Sequence, residues 1–95
     1  MDARLQKQWD VCSLLMRQAA VQIADTGKLV QLEHYLSHNE LGLALDELEA
    51  AGNEARLDEH FWWLLKKNAQ VMGLREHRLR FMRNVQKCRQ EKSTP

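Results

Sequence analysis

The only proline in the chain is its last residue, Pro95, and the four glycines, Gly27, Gly42, Gly52 and Gly73, stand at least ten positions apart. Nothing between them removes a backbone donor or forces a break, so helices can run through most of the sequence. Glycines so dispersed cannot converge their N–H groups on a phosphate, and no nucleotide-binding fingerprint is present. Apolar residues recur at threes and fours almost throughout, the period of a helix with one buried face. With 95 residues, 44% of them apolar and 28% charged, the chain has ordinary globular composition, enough for one core and no second. These features predict an all-α fold: a single domain over residues 1–95, folded as one compact bundle of four to five helices.

The pattern divides into segments. Leu5, Trp9, Cys12, Met16, Ala19 and Ile23 advance along one face of a first helix over about 2–25. A short second helix over 29–36 offers Leu29, Leu32, Tyr35 and Leu36. Ser37-His38-Asn39-Glu40 has the form of a capping box, with Asn39 as an alternative cap. It opens a third helix reaching about Ala51, whose inner stripe is Leu41, Ala44, Leu45 and Leu48. Asn53 is the expected cap of a fourth helix running to Met72, with Leu57, Phe61, Leu64, Leu65, Val71 and Met72 inward. Gly73-Leu74 resembles a Schellman ending, and a fifth helix over 76–90 carries Leu79, Met82, Val85 and Cys88. Gly27, Gly52 and Gly73 are read as helix-terminating glycines, and residues 92–95 as a frayed tail.

No stretch approaches the roughly 20 apolar residues of a membrane span. The N-terminal residues have mixed charge and no hydrophobic secretory region, so a cytoplasmic location is expected. Cys12 and Cys88 lack close-spaced partners and fit reduced thiols. The net charge of +1 conceals a division: residues 1–60 sum to −6 and residues 61–95 to +7. One small body thus carries an acidic and a basic surface, either of which can meet an oppositely charged partner.

Few constellations bear on chemistry. His34 and His38 share a helical face, but a pair of imidazoles without a third ligand is not a metal site, and the zincin order is absent. No nucleophile and base stand at a recognisable spacing. The expectation is a non-enzymatic protein with no metal and no cofactor. At about 100° per residue, Leu43 points away from the inner stripe of the third helix, among Glu40, Asp46 and Glu47. It is either covered by another helix of the same chain, or a lone exposed leucine of the ordinary kind, or an apolar anchor ringed by carboxylates, the anatomy of contact with a basic partner. Gly42 within that helix suggests close approach by a neighbouring helix or by a partner. Trp62 lies at the margin of the fourth helix's stripe and Trp63 far from it. The latter is either covered by the first or fifth helix or available as an interface anchor. Arg80, Arg83 and Lys87 share a face of the fifth helix, which can pair with nucleic-acid phosphates or complement the acidic helices of the same chain.

The run from Glu33 to Leu48, with its short helix, polar turn and Asn-Glu-Leu-Gly-Leu-Ala-Leu-Asp-Glu-Leu, followed later by Met72-Gly73-Leu74, resembles a segment of small helical immunity proteins. These are encoded beside polymorphic bacterial toxins of the Maf and contact-dependent growth-inhibition types. The resemblance covers about 33–74. It implies a protein without catalytic residues that binds a cognate toxin domain, often a nuclease, and blocks it. Contact positions in that family vary with the toxin, so the expected partner-binding residues, Glu40, Leu43, Asp46, Glu47 and Trp63, come from the helical geometry alone. The alternative readings are a helical adaptor or self-associating regulator, including a homodimer, and a nucleic-acid binder using Arg80, Arg83 and Lys87.

Overall fold

The computed structural model describes residues 3–93. Asp2, the expected start of the first helix, the side chain of Leu5, and Thr94 and Pro95 of the expected tail lie outside the described residues. The described residues form five helices: α1 (Ala3–Ala20), α2 (Thr26–Ser37), α3 (Leu41–Ala55), α4 (Glu59–Met72) and α5 (Arg75–Ser93). No strand occurs among the described residues, and the fold is an all-α bundle. α4 is the centre, contacted by α1, α3 and α5, while α2 packs on α3.

The core forms where the apolar stripes meet. Cys12, Met16 and Ala19 of α1, Leu32 and Leu36 of α2, Ala44, Leu45 and Leu48 of α3, and Phe61, Leu64, Leu65 and Ala69 of α4 are all buried. Burial pushes the Cys12 thiol pKa up. Asn68, buried on α4, donates from Nδ2 to the Cys12 carbonyl at 3.2 Å and so ties α4 to α1. Val71, expected inside, is exposed. The inward seam of α5 also differs from the expected one. Phe81 and Val85 are its buried members, whereas Leu79 and Met82 are half-buried. Phe81 takes that place because its ring meets Trp62, with centroids 6.0 Å apart.

The helix ends account for most departures from the sequence reading. α1 stops at Ala20, five residues early, where Gln22 and Ile23 donate to the carbonyls of Ala19 and Ala20 in a tightened turn. Asp25 is then the N-cap of α2, its carboxylate accepting from the Gly27 and Lys28 amides at 2.9 and 3.3 Å. α2 therefore begins three residues before Leu29, and Gly27 lies in its first turn instead of closing α1.

No capping box forms at Ser37. Its hydroxyl donates back to the His34 carbonyl at 2.8 Å, and Glu40 makes no side-chain capping bond. Asn39 adopts φ 55° and closes α2, with its amide on Leu36 O and that of Glu40 on Tyr35 O. This is a Schellman ending built on asparagine, which tolerates the left-handed region better than most residues. At Gly73 the expected Schellman ending is present, with φ 72°, Gly73 donating to Gln70 O and Leu74 to Ala69 O.

α3 runs past Gly52 and Asn53 to Ala55, so Gly52 is interior and Asn53 caps nothing. The cap of α4 is Asp58, which accepts from the Phe61 amide at 3.0 Å. α5 continues to Ser93, so helix extends into the expected tail. The end of α3 places Arg56 at φ 51°, ψ 56°, with Leu57 donating to Gly52 O. A side chain with Cβ is disfavoured there by about 1 kcal/mol relative to glycine. Arg56→Gly is expected to stabilise the protein by about 1 kcal/mol and raise Tm by about 4–8 °C. Differential scanning calorimetry checks this, and a lowered Tm would contradict it.

Candidate protein-binding surface

The side of α3 opposite its core stripe places Leu43 in solvent, 50% exposed. It has this position because Leu41, Ala44, Leu45 and Leu48 fill the inward arc, leaving an intervening leucine on the other side of a helix that turns about 100° per residue. Glu40 is exposed one turn before it and Glu47 half-exposed one turn after. Gly42 has open space where a Cβ would stand, so no neighbouring helix approaches it. Beside Gly42 opens a cleft of about 270 Å³ lined by Trp9, Cys12, Leu41 and Met72 among others. The N-terminal end of α3 thus offers an exposed leucine flanked by carboxylates, and, on the side of Leu41 and Gly42, a recess that Gln8 and Asn39 line along with the apolar groups.

Asp46 stands differently. His77 Nε2 lies 2.9 Å from its Oδ1, and one turn on, Glu49 holds Arg80 through two bonds of 2.8 and 3.1 Å. The bidentate contact with Glu49 raises the Arg80 pKa above its ordinary value. Asp46, Glu49 and His77 bring ligand atoms within 4.8 Å of one another, a spacing a cation can use. Here those atoms serve as links from α3 to α5. Arg89 of α5 likewise pairs with Glu59 of α4, and Lys28 of α2 with Glu54 of α3. Three members of the basic helix are therefore matched to acidic groups of the same chain. Of the nucleic-acid set, Arg80 is engaged in this way, while Arg83 and Lys87 are exposed.

Trp63 is 36% exposed, and its outer face is screened by its own helix. The His60 ring stacks at 6.2 Å and 12°, and Lys67 Nζ stands 5.4 Å from the indole centroid. Trp62, by contrast, is buried edge-on against Phe61. Trp63 and Leu43 stand on different helices. α3 meets the start of α4 at Gly52, next to Phe61 and Trp62, so Trp63 lies beside that crossing. Leu43, nine residues earlier on α3, is displaced about 14 Å along the axis at 1.5 Å per residue. The structure therefore separates Trp63 from the cluster of Glu40, Leu43 and Glu47.

The His34 and His38 rings lie with centroids 4.5 Å apart and planes tilted by 43°, but Nδ1 of His38 donates to the His34 carbonyl at 2.9 Å. That nitrogen is committed to the backbone. No helix of the described residues is long and apolar enough to cross a membrane. Compared with known proteins, the chain matches no family model, no curated protein and no solved structure.

Proposed function

We propose that this is a non-enzymatic protein-binding module, an immunity protein that neutralises a cognate toxin domain with a basic surface. The observation that carries the reading is Leu43, half-exposed on α3 with the Glu40 and Glu47 carboxylates one turn to either side, near a cleft that opens at Leu41 and Gly42. An apolar anchor and a recess supply a centre that can be desolvated, and carboxylates around them steer a cationic partner. A nuclease toxin needs a basic surface for its own substrate, and that surface is complementary to this one. The segment that resembles immunity proteins contains all of these residues. The test is the product of the neighbouring reading frame. The two purified proteins are expected to form a stable complex in which toxin activity is lost. Failure to associate, or association that leaves the toxin active, would reject the reading.

The competing nucleic-acid reading makes a separable prediction. Because Arg80 is held by Glu49 and Arg89 pairs with Glu59, binding to generic duplex DNA is expected to be weak at physiological salt. Arg80→Ala should leave that weak binding unchanged. Fluorescence anisotropy with a labelled duplex measures this. Submicromolar affinity with a steep salt slope, reduced by Arg83→Ala and Lys87→Ala, would establish a nucleic-acid interface instead.

A further inference from the structure

We propose that the outer face of α1 and α2 is a self-association surface, on which a second copy of this chain docks about a two-fold axis. Leu14 of α1, Val21 in the turn that follows it and Val30 of α2 are 58%, 83% and 71% exposed. Scattered exposed aliphatics are ordinary, but a gathered set marks an interaction site. These residues are gathered by one contact. Arg17 reaches Glu33 through two bonds of 3.0 and 3.2 Å, which links the exposed sides of α1 and α2. Leu14 lies one turn before Arg17, Val21 four residues after it in the turn that closes α1, and Val30 one turn before Glu33. The ion pair is thus flanked on both helices by exposed apolar side chains.

The charge pattern selects the occupant. A positive and a negative group lie adjacent at the middle of the patch, so the patch complements itself. A two-fold rotation sets Arg17 over Glu33 of the second copy and Glu33 over its Arg17, the isologous arrangement of most homodimers. Leu14 and Val21 then meet Val30 of the second copy, and the same contacts repeat on the other side of the axis. A wholly basic or wholly acidic partner would find half of the central charges repulsive. The hydrogen bonds from Arg17 already hold the Glu33 pKa below its usual value, so both groups are charged at neutral pH. The patch is small beside the roughly 800 Å² per partner of a standard interface, so the dimer is weak and concentration-dependent. This surface is distinct from the α3 surface, and its test requires no partner protein.

Sedimentation velocity over about a hundredfold range of protein concentration reads the equilibrium directly. The chain is expected to pass reversibly from monomer to dimer. Leu14→Glu and Val30→Glu, at exposed positions, should each weaken the dimer by about tenfold or more while leaving helicity and Tm unchanged. The charge pair provides a stricter check. Arg17→Glu and Glu33→Arg should each lose association when alone. Mixed together they should regain it as a heterodimer, because every contact across the axis is again between opposite charges. A chain that stays monomeric over the whole range overturns the proposal. So does a dimer indifferent to Leu14→Glu, or a mixture that associates no better than its components.

Discussion

Gly52→Ala is expected to destabilise the protein by about 3 kcal/mol and to lower Tm by about 12–24 °C. A Cβ at this position would press into Phe61 Cε1 and stand 2.8 Å from Trp62 Cζ2. Both rings are buried and packed edge to face, with centroids 5.2 Å apart, so neither can withdraw without moving the wall of the core. Trp62 is also in contact with Phe81, and a displacement there reaches α5. The propensity gain of alanine over glycine in a helix, about 1 kcal/mol, cannot offset an overpacked aromatic cluster. Gly42→Ala on the same helix is the control. With open space at its Cβ position, it should be neutral or stabilising by up to about 1 kcal/mol. Paired thermal melts of the two variants decide the matter, and equal Tm values would contradict the close approach at Gly52.

Leu43→Ala is expected to cost about 1–3 kcal/mol of affinity for the proposed toxin partner, a loss of about 5- to 150-fold, with little change in Tm. The separation follows from where the residue sits. Leu43 is half-exposed and makes no part of the buried cluster, so truncation leaves no cavity in the free protein. It is the exposed leucine of α3, and so the apolar anchor of the proposed contact. Its loss should appear mainly in the dissociation rate, as for other central anchors. Unfolding of the variant, with normal binding by whatever remains folded, would assign Leu43 to the core and remove it from the interface.

The elements legible in the sequence are those whose signal is local. Five helices and their order follow from apolar periodicity, and the Gly73-Leu74 ending follows from glycine's access to positive φ. The other ends were less legible because the same residue types serve opposite purposes. Gly52 reads as a terminator, yet its small size is used for contact with Phe61 and Trp62. Asp25 reads as the end of α1 and is the cap of α2. Asn39 and Arg56 take the left-handed positions where glycine would announce them. In α5 the apolar residues are too few among charges to fix the helical phase, so Phe81 was missed in favour of Leu79 and Met82.

Of the candidate site, the outward direction of Leu43 was readable from rotation along one helix. What crosses between helices was not. The pairs of Asp46 with His77 and Glu49 with Arg80 join residues 31 positions apart, and no spacing rule connects them. They turn Asp46 from a steering charge into part of the α3–α5 joint, and leave Glu40 and Glu47 as the carboxylates flanking Leu43. The rotation along α4 puts Trp63 off the stripe, but its distance from Leu43 depends on how α3 and α4 cross at Gly52, which only the packed fold determines.

The most direct test of the account is the association rate between this protein and the toxin domain of the neighbouring reading frame, measured by surface plasmon resonance as ionic strength is raised. Steering by the α3 carboxylates predicts a rate that falls steeply with salt, and a shallower dependence for the double variant Glu40→Lys, Glu47→Lys at similar Tm. A rate insensitive to salt, a slope unchanged in that variant, or no binding at all would contradict the proposal that this acidic face of α3 captures a basic toxin.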